Sequence, residues 1–218
     1  MVKTSLMLHS ILSICSFIDS DKIVVPTFQR QFVWSKNNVA NLLTSIYKGY
    51  PIGTIIVLDE SPSRFKALSL KDFKPINNTE KSSYNSLWYL LDGSQRLVGL
   101  YRSLFSSDPK FSFTFNLDTE EFLPKSKRPT SEGNLDLHSL FSPDLFLQFQ
   151  KSISLRDNSE FLLDRAYKLH NTLSGYELPI QVISNLTLDD AMSIFEVINN
   201  SGQQLQKSDI EKLWQKDE

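Results

Sequence analysis

Apolar positions recur along this chain with two different periods, and the switches between them outline its elements. Near the start, Met7, Ile11, Ile14 and Ile18 fall at i, i+4, i+7 and i+11, the stripe of an amphipathic helix reaching about Asp19. Lys22 to Val25 then reads as a short strand, ended by Pro26, which has no N–H to give a ladder. Val39, Leu42, Leu43 and Ile46 return to helical spacing, closed by Gly49 at a C-terminal cap position. The β-branched run Ile52 to Leu58 predicts a buried strand. From Glu60 to Ser86 the pattern dissolves into Ser, Lys, Asn and Pro, which predicts a surface excursion, some of it pairing as an edge hairpin. Trp88 to Leu91 is apolar again, and runs through Asp92-Gly93 into a helix striped by Leu97, Leu100, Tyr101 and Leu104.

In the second half, Phe111, Phe113 and Phe115 alternate with polar residues, a strand with one buried face. Glu120 to Leu123 is its candidate hairpin partner. The stretch from about 135 to 175 reads as helical, with Leu162, Ala166, Leu169 and Leu173 as its longest stripe. Leu178 to Ile183 is a last strand. Two helices follow over about 187–214, one from near Thr187 and one from near Ser208, where Ser208 and Glu211 have capping-box spacing. Strands and helices mix without a βαβ rhythm or an internal repeat, so the expected class is α+β, a single domain over residues 1–218.

Composition narrows the function. Hydrophobic residues make up 40% of the 218, and fifteen Phe against seven Gly describe a chain built around a core. The 23 basic and 25 acidic residues give a net charge of −2, which argues against tight, non-specific DNA binding by this chain alone. It leaves room for a local basic surface. A single cysteine, Cys15, rules out an internal disulfide and a cysteine zinc cluster. Serines interrupt the N-terminal apolar run and no cleavage-site pattern follows it. No stretch reaches the roughly 20 apolar residues of a membrane span. The expected compartment is the cytoplasm.

Three segments carry residues suited to chemistry. The first, Pro26-Thr27-Phe28-Gln29-Arg30-Gln31-Phe32-Val33-Trp34, surrounds Gln29 and Arg30 with the aromatics Phe28, Phe32 and Trp34. Such a loop supplies stacking surfaces and a bidentate donor for phosphate or a base edge. Equally, Phe28 and Trp34 could pin it to the core while Arg30 makes a structural ion pair. The second, Leu90-Leu91-Asp92-Gly93-Ser94-Gln95-Arg96, sits where a strand becomes a helix, and free N–H groups at helix starts attract anions. Gly93 permits close backbone approach, Arg96 adds donors, Asp92 could hold Mg2+, and Gln95 could orient a water. The plainer reading makes Asp92 a helix cap and leaves Arg96 solvated. In the third, Phe195 to Gly202, Asn199 and Asn200 would close a helix in a left-handed turn, or Asn199 would reach into a site shared with the other two segments.

His9, His138 and His170 have no metal-binding spacing, and the Lys125 to Arg128 cluster is short enough to be a solvated loop. Cys15 lies among aliphatic residues with no basic neighbour, the setting of a small core residue.

In this order and spacing, Pro26-x-Phe28-Gln29-Arg30-x-Phe32-x-Trp34, Asp92-Gly93-Ser94-Gln95-Arg96 and Phe195-x-x-Ile198-Asn199-x-x-Gly202-x-x-Leu205-x-x-x-Asp209-Ile210 resemble the GmrSD N-terminal domain family across nearly the whole chain. The resemblance implies a ParB/sulfiredoxin-like α+β core with additional helices. It implies binding and hydrolysis of a nucleoside triphosphate with Mg2+, in modification-dependent DNA restriction or anti-phage defence. Carried to matching positions, Asp92, Gln95 and Arg96 become the catalytic residues. Gln29, Arg30, Gly93, Ser94 and Asn199 become nucleotide-binding residues, with Phe28, Phe32 and Trp34 as a recognition loop. Implied partners are DNA, modified or not, and an HNH-type nuclease module, which no segment of this chain resembles. A homodimer is compatible with the reading, and a membrane is not implied. One departure stands out: the family loop reads Asp-Gly-Gln-Gln-Arg, and Ser94 replaces its first Gln. The alternative function is a non-catalytic ParB-like module that binds DNA or protein. A sulfiredoxin-like reductase is not expected, because Cys15 precedes the whole core.

Overall fold

Two strands buried on both faces, Ile55–Glu60 (β3) and Leu87–Asp92 (β5), form the centre of a mixed six-stranded sheet. The sheet is completed by Lys3–Ser10 (β1), Ile23–Pro26 (β2), Ala67–Ser69 (β4) and Glu177–Ser184 (β9), in the order β1-β9-β3-β5-β2-β4. The computed structural model describes residues 2–27, 29, 32–62, 64–75, 84–105, 109–125 and 133–199. Two helices belong to this sheet unit, Ile11–Asp19 (α1) and Leu188–Asn199 (α7). Val24, Leu58, Leu87, Tyr89, Leu91 and Ile183 share one core cluster with Ala191 of α7, which ties that helix to one sheet face. The unit is assembled from residues 1–32, 53–94 and 177–218.

The other compact unit comprises residues 33–52 and 95–176. It contains Lys36–Tyr47 (α2), most of Ser94–Leu104 (α3), Leu137–Leu140 (α4), Pro143–Ile153 (α5) and Ser159–Gly175 (α6). Beside them lies a three-stranded antiparallel sheet of Phe113–Asn116 (β6), Glu121–Pro124 (β7) and Asn134–Asp136 (β8), ordered β7-β6-β8. Local chemistry fixes the ends of α2. Ser35 and Asn38 form a reciprocal capping box at its start. At its end Gly49 takes φ +70°, Gly49 N–H donates to the Ile46 carbonyl, and Tyr50 N–H donates to the Ser45 carbonyl, the paired bonds of a Schellman turn. The expected stripes are the buried ones: Val39, Leu42, Leu43 and Ile46 on α2, and Leu162, Ala166, Leu169 and Leu173 on α6.

Two expectations are corrected. Residues Lys3–Ser10 form a strand, and the first helix begins at Ile11, capped by the Ser10 hydroxyl. Met7 keeps helical spacing from Ile11 by coincidence, since its true neighbour is Ile180 across the β1–β9 ladder. Leu135 likewise belongs to a strand, paired with Phe115, and the helical stretch starts at Leu137. Within the polar excursion, Ala67–Ser69 does pair at the sheet edge with β2, while Phe65 and Leu70 are buried there. The class is mixed α and β, consistent with α+β. Among the described residues no helix is long and apolar enough to cross a membrane. The helix expected near Ser208 lies outside the described residues.

Candidate functional site

Strand pairing brings the first two motifs together. β2 and β5 are parallel neighbours, with Ile23 opposite Trp88 and Val24 opposite Tyr89. Parallel strands leave a sheet at the same end, so the chain emerging after Pro26 and the chain emerging after Leu91 share one edge. The carboxyl ends of parallel strands are the usual location of ligand sites in mixed sheets. β3 enters at that same end, because it is antiparallel to β5 and places Ile56 opposite Asp92. Its register slips between Ile56 and Val57, a bulge of the kind that re-aims side chains beside functional sites.

Hydrogen bonds then fasten motif to motif. Gln29 Nε2 donates to the Leu91 carbonyl at 2.8 Å. Val33 N–H donates to Gln95 Oε1 at 2.9 Å, and Gln95 is buried, with 7% of its surface exposed. Arg96 Nη1 donates to the Ile52 carbonyl at 2.7 Å. Burial explains why Gln95 needs an amide partner: an unsatisfied side-chain carbonyl there would cost about 1–3 kcal/mol.

Asp92 closes β5 with an exposed side chain, and Gly93 precedes α3 with φ +91°. The residue next to the helix is thus Gly93 rather than Asp92, and its left-handed conformation is one that L side chains rarely adopt. Ser94 is the first helical residue and is half-buried. Trp34 packs within the helical unit, its Cε3 lying 3.6 Å from where a Cβ on Gly99 would be. This contact favours the pinning role for Trp34. Phe32 is half-buried in the sheet unit. Phe28 and Arg30 lie outside the described residues, as does the side chain of Asn199, the last residue of α7. Lys125 pairs with Asp136, and Lys127 and Arg128 lie outside the described residues.

Sequence reasoning treated Gly49 and Pro51 as punctuation and missed Ile52, whose carbonyl receives Arg96. The available signal was a Pro flanked by two glycines, Gly49 and Gly53, between a helix and a strand. Cys15 is buried, and burial, with a smaller contribution from Asp19, pushes its thiol well above the ordinary range. It is a core residue. Among the described residues no group of three or more His, Cys, Asp and Glu is placed to hold a metal ion.

Comparison with known proteins gives this arrangement a family. A protein of Methanocaldococcus jannaschii described as uncharacterized is 24% identical over 226 residues, covering 87% of this chain. The chain spans 38% of that relative's length. The model of the GmrSD restriction endonuclease N-terminal domain matches residues 11–214, taking in all three motifs. The chain belongs to the GmrSD restriction endonuclease N-terminal domain family.

Proposed function

We propose that this chain is the nucleotide-binding and nucleotide-hydrolysing sensor domain of a DNA restriction or anti-phage defence system, with its chemistry at the Asp92–Arg96 junction. The observation that supports this most is the double tie between the first two family motifs, Gln29 to the Leu91 carbonyl and Val33 N–H to Gln95. In this reading the six-stranded unit is the ParB/sulfiredoxin-like core. Gly93 allows the phosphates close to the backbone, and the first N–H groups of α3 face the anion. Arg96, with Arg30, neutralises phosphate charge. Gln95 positions the attacking water and Asp92 accepts its proton. An exposed carboxylate also suits magnesium, which keeps several waters and takes its other ligands from substrate phosphates. Magnesium bound there would add charge neutralisation. DNA, modified or not, is the sensed ligand, and an HNH-type nuclease module makes the cut.

The competing reading is a recognition module without turnover. It draws on the bonds that Gln95 and Arg96 make to the backbone, since those give both residues a structural task. Phosphate release from a panel of nucleoside triphosphates with magnesium, with and without DNA, separates the two. We expect turnover in the wild type and a loss of about 10²-fold or more in Asp92→Asn, with nucleotide binding retained. No turnover under any condition, alongside DNA or protein binding, would establish the recognition module instead.

A further inference from the structure

The six-stranded sheet ends at β1, which pairs with β9 along all eight of its residues and has no strand on its outer side among those described. An edge of this kind offers a row of unpaired N–H and C=O groups to another strand. Native edges are commonly guarded by proline, bulges or several charges. β1 has none of the first two and a single charge, Lys3, at its end. Its middle is apolar and open: Leu6 is 67% exposed, Met7 41% and Leu8 58%.

The order of residues along this edge says what fits it. Outward from Met7 the polarity reads the same in both directions, with Leu6 and Leu8, then Ser5 and His9, then Thr4 and Ser10. A twofold axis perpendicular to a sheet reverses strand direction, so a strand meeting its own copy across that axis is read once forwards and once backwards. Mirror symmetry of polarity is what such a meeting requires. Centred on Met7, the pairing sets Leu6 opposite the partner subunit's Leu8, and Ser5 opposite the partner subunit's His9. The two Lys3 residues fall about 27 Å apart along the strands at 3.4 Å per residue, beyond the reach of repulsion in physiological salt. Leu6 and Leu8 project from the same sheet face as Gln181 and Ile183. On that face lies an apolar groove of about 310 Å³ whose lining includes Ile56, Ile183, Ile194 and Val197. The four leucines of a pair would continue that apolar surface from one copy to the other.

We propose that β1 is a homodimer interface, in which two copies join edge to edge and antiparallel about Met7 to form one continuous sheet. Sedimentation velocity on the 218-residue chain over a range around micromolar to 100-fold higher tests it. The wild type should be dimeric at the upper end. Met7→Lys and Met7→Glu should each weaken the dimer by about tenfold or more, because each sets like charges face to face. Mixing the two variants should restore association. Met7→Cys supplies an independent readout, since cross-strand Cα atoms about 4.5–5.5 Å apart fall within disulfide range. It should form a covalent dimer on oxidation, whereas Thr4→Cys, opposite the partner subunit's Ser10, should not. A monomeric wild type at the highest concentration overturns the proposal. So do unchanged association of both charged variants, failure of their mixture to recover, and absence of the Met7→Cys crosslink.

Discussion

Gln95 and Arg96 each have a backbone partner, so a substitution at either removes two things at once. Gln95→Ala takes the acceptor from Val33 N–H in a buried setting and should cost about 1–3 kcal/mol, read as a lower melting temperature. Arg96→Lys is the cleaner probe. An ammonium can still donate one bond to the Ile52 carbonyl but lacks the planar fork that grips a phosphate. Under the proposed function Arg96→Lys should therefore melt close to the wild type while losing about 10²-fold or more in phosphate release. Equal losses of stability and turnover would assign Arg96 to holding the Ile52 loop alone. Of this candidate site, Gln29, Gln95 and Arg96 were legible in the sequence as motif residues. Which backbone groups they bind was not legible, because those groups come from other segments of the chain.

At the level of elements, the turn from β6 to β7 is secured by an ionic cluster whose pH response has a definite sign. Glu120 sits in that turn with φ +57°, accepting from Lys168 Nζ at 2.8 Å and Tyr47 Oη at 2.5 Å. Those two bonds, Lys168 first, hold its carboxyl below the ordinary carboxylate range, while hydrogen bonding to Glu120 first and then to Tyr47 raises Lys168. The Glu120 contribution to stability is therefore complete above the unfolded carboxylate pKa of about 4.3 and is lost as pH falls through the lower folded value. The Lys168 contribution is complete below the unfolded lysine pKa and is lost as pH rises through the higher folded one. Glu120→Gln should flatten the acid side of a stability-versus-pH curve measured by urea unfolding, with a modest effect at neutral pH because the Lys168 ammonium is exposed and solvent screens the pair. Local patterning was enough to find α2, α3, α6 and β5, whose apolar spacing agrees with their burial. It failed at β1 and at Leu135, where the deciding partners, β9 and Phe115, are distant in sequence. A stripe of Met7, Ile11, Ile14 and Ile18 satisfies a helix on paper, and only the ladder to β9 converts its first turn into a strand.

Across the whole molecule, the chain passes from one compact unit to the other after Phe32, Ile52, Ser94 and Tyr176, so neither unit is a continuous stretch. A chain ended at Tyr176 should keep the protected helices of residues 95–176 in hydrogen exchange. It should lose protection in β3 and β5, because β9 supplies the strand between β1 and β3. Protection of β3 at wild-type levels would show that the sheet can close without β9. The same placement sets a timetable for synthesis. β1 leaves the ribosome well before its neighbour in the sheet, which follows only when Ser184 has been made. At 5–20 residues per second that is a wait of roughly 10–35 s, during which Leu6, Met7 and Leu8 have no native strand beside them. The helical unit has all of its residues by Tyr176 and can form within that interval. Among the described strands, nascent β1 therefore waits longest for its first partner, and slowing translation should lengthen that wait.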